Sequence, residues 1–401
     1  MSRTPPPQTL PPLGGAPGRG AGRGMMAAIA CIAVFGVSAG MQHPLFALKL
    51  EQMGYSSAMI GVNGAMMALA SLVCAPVMPR VIRRIGLPAF LTVCAVAAAA
   101  TLLAFPLYDD YASWLGLRFL LGIAAAGLFV GSEAWIVSDA DPAARGRIVG
   151  LYATVLSLGF AAGPMILTGV GFEGPLPFMV CALISLVCVI PLISAWRDAP
   201  TIDPGDASET PPLRFILTAP TVLGAVILFG ALEFGVMALL PVWGVRTGLD
   251  REAASFLVSA LVLGNVVFQI PLGALADRVN RRALLVFCAL VSIGAAMALP
   301  LLAGETWRLW AMLFVWGGLA AGLYTVALIE LGARYRGATL VAANAAVVSA
   351  YGIGALGGPV LGGGFMDLID PHGLALALGL MSAAYLGVAI ARARPRRGSG
   401  A

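Results

Sequence analysis

The sequence predicts an all-α membrane protein, with twelve transmembrane helices in two pseudo-symmetric six-helix bundles. Three observations carry that prediction. The 401 residues are 60% hydrophobic and only 11% charged, whereas soluble domains carry about 25% charged residues. The apolar residues fall into long runs of about 20, the length that crosses a bilayer as a helix. The two halves of the chain also repeat one another. With so few charged side chains there is too little polar surface to cover soluble domains of this size, so lipid takes the place of water.

The elements follow in order. Residues 1–24 are rich in proline and glycine and carry three arginines, the composition of a disordered basic arm. The apolar run from Met25 continues to about residue 49. A signal-peptide core extends only about 7–15 residues, so this run reads as a retained first span. Spans at about 58–79, 87–108, 112–138, 148–171 and 176–196 complete an N-terminal bundle over 25–196. Residues 197–214 hold prolines and acids and read as a cytoplasmic linker. Spans at about 215–245, 252–276, 283–303, 307–332, 339–366 and 373–391 form a C-terminal bundle over 215–391, and 392–401 is a basic cytoplasmic tail.

Orientation comes from the bases. With the N-terminus inside, 19 of the 24 fall on the cytoplasmic side and four outside (Lys49, Arg246, Arg251 and Arg308), with Arg118 inside a span. That asymmetry obeys the positive-inside rule and puts both termini in the cytoplasm. The expected location is a bacterial inner membrane.

The internal repeat is specific. Gly159-Phe-Ala-Ala-Gly163-Pro164 in the fifth span and Gly354-Ala-Leu-Gly-Gly358-Pro359 in the eleventh share a spacing at an offset of 195 residues. The stretches from Pro79 to Arg84 and from Asp277 to Arg282 match at an offset of 198. Parallel six-span repeats are a design of secondary transporters. The glycines place small residues on one helix face, which lets two backbones approach, and the prolines introduce a bend.

Several functions are excluded. The bases form short clusters between spans and no stripe with interleaved aromatics, so nucleic acid is not a partner. Two histidines and six cysteines without Cys-x-x-Cys spacing offer neither a metal site nor a disulfide framework, and the cysteines read as packing residues. Gly-Val-Ser-Ala-Gly at 36–40 fits a nucleophile pattern but lies inside a span, away from any strand–turn–helix. Gly-Ile-Gly-Ala-Leu-Gly at 352–357 fits a dinucleotide fingerprint without a βαβ unit around it. The single lysine, Lys49, follows no glycine-rich loop, so the chain does not drive itself by ATP hydrolysis. No enzyme activity and no cofactor are expected.

Three motifs make the chain resemble the major facilitator superfamily across about residues 25–391. Gly273-Ala-Leu-Ala-Asp-Arg-Val-Asn-Arg-Arg282 resembles the superfamily's inner-loop motif. Arg118-Phe-Leu-Leu-Gly-Ile-Ala-Ala-Ala-Gly127 resembles its fourth-span motif. Gly150 to Pro164 resembles the fifth-span motif of antiporters, with Leu167 and Thr168 in place of its closing glycine pair. Stretches such as Pro-Arg-Val-Ile-Arg-Arg resemble the YcaD-like subgroup of bacterial transporters. The resemblance implies a central cavity lined by spans one, four, seven and ten, and bends in spans five and eleven that seal it.

Charges inside spans are costly and therefore informative, at about 2.5–3.5 kcal/mol each on insertion scales. There are four: Arg118, Glu133, Glu233 and Glu330. Glu233 lies in mid-span without an arginine on its own span and is the candidate proton-coupling or cation-binding group. Arg118, with Gln42 and His43 of span one, completes the candidate substrate and proton-coupling set. Arg118 and Glu133 are 15 residues apart on one helix, about 22 Å, and cannot pair.

Glu133 is expected to reach Arg80, Arg83 or Arg84, and Glu330 to reach Arg278, Arg281 or Arg282, as a cytoplasmic gate of structural ion pairs or as titrating members of a proton path. In the inner loop Asp277 is expected to cap a helix, and Asn280 to take the positive φ of the family's glycine. Pro79 stands where the first half would carry the matching aspartate. Asn63, Tyr152, Asn265, Gln269, Tyr324, Asn344 and Tyr351 are weaker cavity candidates.

These readings converge on a monomeric secondary transporter for a small organic molecule, coupled to protons and directed outward. A proton-coupled importer and a non-transporting membrane sensor on the same scaffold are the alternatives.

Overall fold

The computed structural model describes residues 21–141, 145–199, 219–335 and 338–393. Most of the expected arm, residues 200–214 of the expected linker, and the tail beyond residue 393 lie outside them. All regular structure among the described residues is helical. In hydrocarbon every backbone N–H and C=O must find its partner within the chain, and a helix does this locally.

Among the described residues, twelve helices are long and apolar enough to span a bilayer. In chain order they are α1 (Ala21–Gln52), α2 (Ser57–Cys74), α3 (Leu87–Ala104), α4 (Tyr111–Asp139), α5 (Arg145–Val170) and α6 (Leu176–Ser194). The second six are α7 (Pro220–Arg246), α8 (Arg251–Ala276), α9 (Arg281–Ala298), α10 (Thr306–Arg334), α11 (Ala338–Leu368) and α12 (Gly373–Ala393). Residues 21–24, expected in the disordered arm, are helical and belong to α1.

Local chemistry starts and stops these helices. The Asp110 and Asp250 carboxylates accept from the backbone N–H of Ser113 at 2.8 Å and of Ala253 at 2.6 Å, capping α4 and α8. Gly54 and Gly248, at φ +82° and +98°, make matching turns after α1 and α7, where a Cβ would be strained.

The six-plus-six repeat is realised in the packing. Helix α1 lies against α5 and α7 against α11, while the halves meet through α2–α11, α5–α8 and α1–α7. The glycine motifs make the first two contacts. A Cβ on Gly159 would stand 2.7 Å from the Ala33 carbonyl oxygen, and one on Gly163 would strike the backbone at Gly40 and Met41. Gly354 and Gly358 meet the Ile227 and Ala231 carbonyls in the same way. Pro164 and Pro359 sit inside their helices. Helices α1, α4, α7 and α10 are the most buried of the twelve. The six cysteines are free, and five are buried in packing positions.

Candidate functional site

A cavity of about 260 Å³ lies between the halves, lined by Phe35, His43, Phe160, Glu233, Asn265 and Tyr351 among others. A second chamber of about 260 Å³ shares Met67, Phe129, Phe234 and Tyr351 with it and runs on to Ser71 and Gly352. Among the described residues, Glu233 is the sole acid in either lining, and neither contains an arginine or lysine. Its carboxylate accepts a 2.6 Å hydrogen bond from the Tyr351 hydroxyl, which joins α7 to α11. The Tyr351 ring packs with Tyr324, Phe229 and Phe234, giving the acid an aromatic surround.

His43 also faces this cavity, with its ring 6.0 Å from that of Phe160. Gln42, its neighbour, does not. Its Nε2 donates to Ser38 Oγ at 2.9 Å, and Ser38 donates to the Cys181 carbonyl of α6 at 3.0 Å. Gln42 is thus held by Ser38, which joins α1 to α6, and lies outside the lining. Arg118 is also absent from the lining. It is 2% exposed, its guanidinium lies 4.3 Å from the Phe46 ring centroid, and it makes no ion pair among the described residues. Its Nε and one Nη have no hydrogen-bond partner among the described residues.

The end of the bundle that carries the arginine clusters is asymmetric. In the second half, Arg281 lies 3.5 Å from Glu330 and 4.0 Å from Asp277, and Glu330 also pairs with Arg334 at 2.5 Å. Arg278 and Arg282 make no ion pair among the described residues. In the first half, Glu133 is exposed, and neither it nor Arg80, Arg83 or Arg84 makes an ion pair among the described residues. Arg80 donates to the Pro76 carbonyl at 3.1 Å instead. Two loop expectations are corrected as well. Asn280 takes φ −64° and caps α9 itself, accepting from Arg282 N at 3.0 Å, because an N-cap needs extended backbone. Asp277 ends α8 and starts no helix.

The opposite end holds a set of contacts that sequence reasoning missed. Arg246 of α7 donates twice to Glu51 of α1, at 2.8 Å each, and to Asp370 at 2.7 Å. Arg251 donates to Glu173 at 2.6 Å, and Gln52 and Lys49 approach the same carboxylate. These hydrogen bonds hold the Glu173 carboxyl below the usual glutamate range. Asp367 of α11 accepts from the first N–H groups of α2, Ser57 at 2.7 Å and Ala58 at 3.0 Å. Beneath them Ala161, Met237, Val258 and Val262 pack from both halves into an apolar plug. This end is closed. At the arginine end no ion pair joins the halves among the described residues, and Glu133 and Asn344 are exposed.

The geometry agrees with what this chain is similar to. The family model of the Major Facilitator Superfamily matches residues 28–254 and 222–401. The MFS-type transporter YfkF of Bacillus subtilis, itself uncharacterized, is 25% identical over 353 residues, which cover 86% of this chain and 88% of YfkF. YcaD of Escherichia coli, also an uncharacterized MFS-type transporter, is 25% identical over 85% of this chain and 88% of its own. Among solved structures, the nucleoside transporter NupG aligns with a TM-score of 0.74 at 11% identity, covering 93% of this chain and 98% of that one. A bacterial homologue of the human lysosomal transporter Spinster, in an inward-facing and unoccupied conformation, aligns at 0.70 with 15% identity, covering 93% and 96%. At these identities the solved structures speak to the fold.

Proposed function

The chain belongs to the Major Facilitator Superfamily, and from that premise we propose that it is a proton-coupled secondary transporter exporting a small organic molecule. The observation that carries the proposal is Glu233, a lone carboxylate in a mostly apolar cavity at the junction of the halves. A charge there must be neutralised, because isolated ions are costly in low dielectric. A proton and a cationic substrate are alternative ways to neutralise it, and taking one in exchange for the other is antiport. The absence of arginine and lysine from the lining favours neutral or cationic amphiphiles, and the aromatic side chains around Glu233 supply an apolar bed and cation–π faces for them.

With the N-terminus cytoplasmic, as the distribution of bases favours, the closed end faces outward and the cavity opens toward the cytoplasm of a plasma membrane. Substrate then enters from inside, and the bundles rock to expose it outside. The ion pairs of Arg246 and Arg251 must break in that step, while contacts between the arginine-rich loops form. Glu133 and Glu330 are the carboxylates available to close the cytoplasmic gate against Arg80, Arg83, Arg84, Arg278, Arg281 and Arg282.

The test is proton flux in inverted membrane vesicles holding a preformed pH gradient. Addition of pooled amphiphilic cations is expected to collapse the gradient in wild type and not in Glu233→Gln. Collapse that persists in the mutant removes Glu233 from the mechanism. Uptake of a nutrient pool without any response to amphiphiles would establish the importer, and ligand binding without flux would establish the sensor.

A further inference from the structure

A second concavity is larger than the one between the halves. A groove of about 630 Å³ lies wholly within the first half, on its outer flank, between α2, α3, α4 and the short helix Met78–Ile85 that joins α2 to α3. Its walls are apolar except for Thr101 and the thiols of Cys74 and Cys94. Along α3 it extends from Phe90 to Thr101, about 17 Å of helix and more than half of a hydrocarbon core of about 30 Å.

The short helix makes one end of this groove amphipathic. At 100° per residue, Val77, Val81 and Ile85 share the face that lines the groove. Arg84 and Arg80 fall next to that face on one side, and Arg83 lies on the far side. All three arginines are exposed. Pro79 stands in the first turn of the helix, where a missing N–H costs nothing.

Charge separates this loop from its repeat. In the second half the equivalent basic cluster is answered from within the chain, by Asp277 and Glu330 on Arg281. In the first half Pro79 replaces the aspartate, Glu133 stays unpaired among the described residues, and no carboxylate meets Arg80, Arg83 or Arg84 there. Three guanidinium groups at the membrane boundary, beside a long apolar slot, complement a molecule that has an anionic head and an acyl chain.

We infer that this groove seats an anionic glycerophospholipid of the surrounding leaflet. One acyl chain lies along Val73, Val77, Val93 and Leu120, and the phosphate rests on Arg80 and Arg84. Guanidinium groups bind phosphate oxygens in a fixed fork, which gives the contact geometry as well as charge. A lipid held there ties α2 to α3 and α4 on the flank of the half that must rock. The inference is independent of substrate, direction and coupling.

Native mass spectrometry of the purified protein, titrated with phosphatidylglycerol or phosphatidylcholine of identical acyl chains, tests it. Near an anionic surface each arginine contributes roughly a fivefold gain, so two give about 30-fold tighter retention of phosphatidylglycerol. Arg80→Gln/Arg84→Gln is expected to erase that preference. Ala97→Trp, which fills the groove from an exposed position and keeps every charge, is expected to lower retention of both lipids, and it decides the matter if the double variant does not fold. Equal retention of the two lipids by wild type overturns the inference. So does a phosphatidylglycerol preference that survives Arg80→Gln/Arg84→Gln, or retention that is unchanged by Ala97→Trp.

Discussion

Arg246 grips Glu51 with two parallel hydrogen bonds, Nε to Oε1 and Nη2 to Oε2, each 2.8 Å. The pair joins the end of α7 to the end of α1 and is only about one-fifth exposed. A bidentate guanidinium–carboxylate pair of this kind is both strong and directional. Because its members lie in opposite halves, its strength bears on one conformation of the transporter and not the other. It therefore sets a population as well as a stability.

Breaking this pair is expected to open the closed end. Hydrogen bonds to charged groups contribute about 1.5–3 kcal/mol, so Glu51→Gln shifts the balance between conformations by tenfold or more. Spin labels at Leu107→Cys and Leu301→Cys, at 76% and 82% exposure on opposite halves, report the opening by double electron–electron resonance. Cys74→Ala removes the half-buried native thiol, and the other five are buried. The distance distribution lengthens in Glu51→Gln. An unchanged distribution would mean that the apolar plug alone holds this end shut.

The neighbouring pair gives a pH dependence whose sign is fixed. Arg251 and Gln52 hold the Glu173 carboxyl below its ordinary range in the closed form. A carboxyl with a depressed value favours that form above its free value, near 4.3, and loses the effect as pH falls through the depressed value. Acidifying from pH 8 to 5 therefore leaves this contact intact, and it weakens only as pH falls below the free value. Glu173 is two-thirds exposed, so screening limits the contribution to at most about 1 kcal/mol, smaller still at high salt. The same labels, read between pH 6 and 3, should lengthen with acid in wild type and show a smaller acid step in Glu173→Gln.

How much of this could be read from the chain depends on what each feature rests on. Spans and repeat were legible because they are properties of runs and offsets, and Gly159 and Gly354 lie in matching contacts. Glu233 was legible because a mid-span acid is rare wherever it points. Gln42 and His43 show where legibility ends. Adjacent helical residues point about 100° apart, so one cavity cannot take both, and nothing in the sequence chooses. The structure turns His43 inward and Gln42 toward Ser38. Arg246 was counted only as an outer charge, since its partner Glu51 lies 195 residues away and only tertiary packing brings the two together.

The glycine contacts can be tested inside a single motif. A Cβ on Gly358 strikes the Ala231 carbonyl, while one on its neighbour Gly357 meets nothing within 4 Å. Gly358→Ala is expected to lose about 1–3 kcal/mol as α7 and α11 are pushed apart. Gly357→Ala should be neutral, or stabilising by up to about 1 kcal/mol, from helix propensity. Thermal unfolding in detergent, followed by scattering-free fluorescence of the seven tryptophans, separates the two. Equal losses would mean that any side chain in this stretch disturbs the helix, whatever the contact.

Arg118 sets stability against function. It is buried on the Phe46 ring with Nε and one Nη lacking partners among the described residues. An unsatisfied buried polar group costs about 1–3 kcal/mol. If nothing in the working cycle uses the guanidinium, removing it should cost nothing. If a moving carboxylate or a substrate meets it in another conformation, the resting structure bears its cost for that later step. Arg118→Leu is therefore expected to unfold at an equal or higher temperature than wild type while gradient collapse in vesicles falls at least tenfold. Arg118→Lys keeps the charge but not the planar stack on Phe46, and should recover only part of the flux. Joint loss of stability and flux in Arg118→Leu would instead identify Arg118 as a strut that holds α4 against α1.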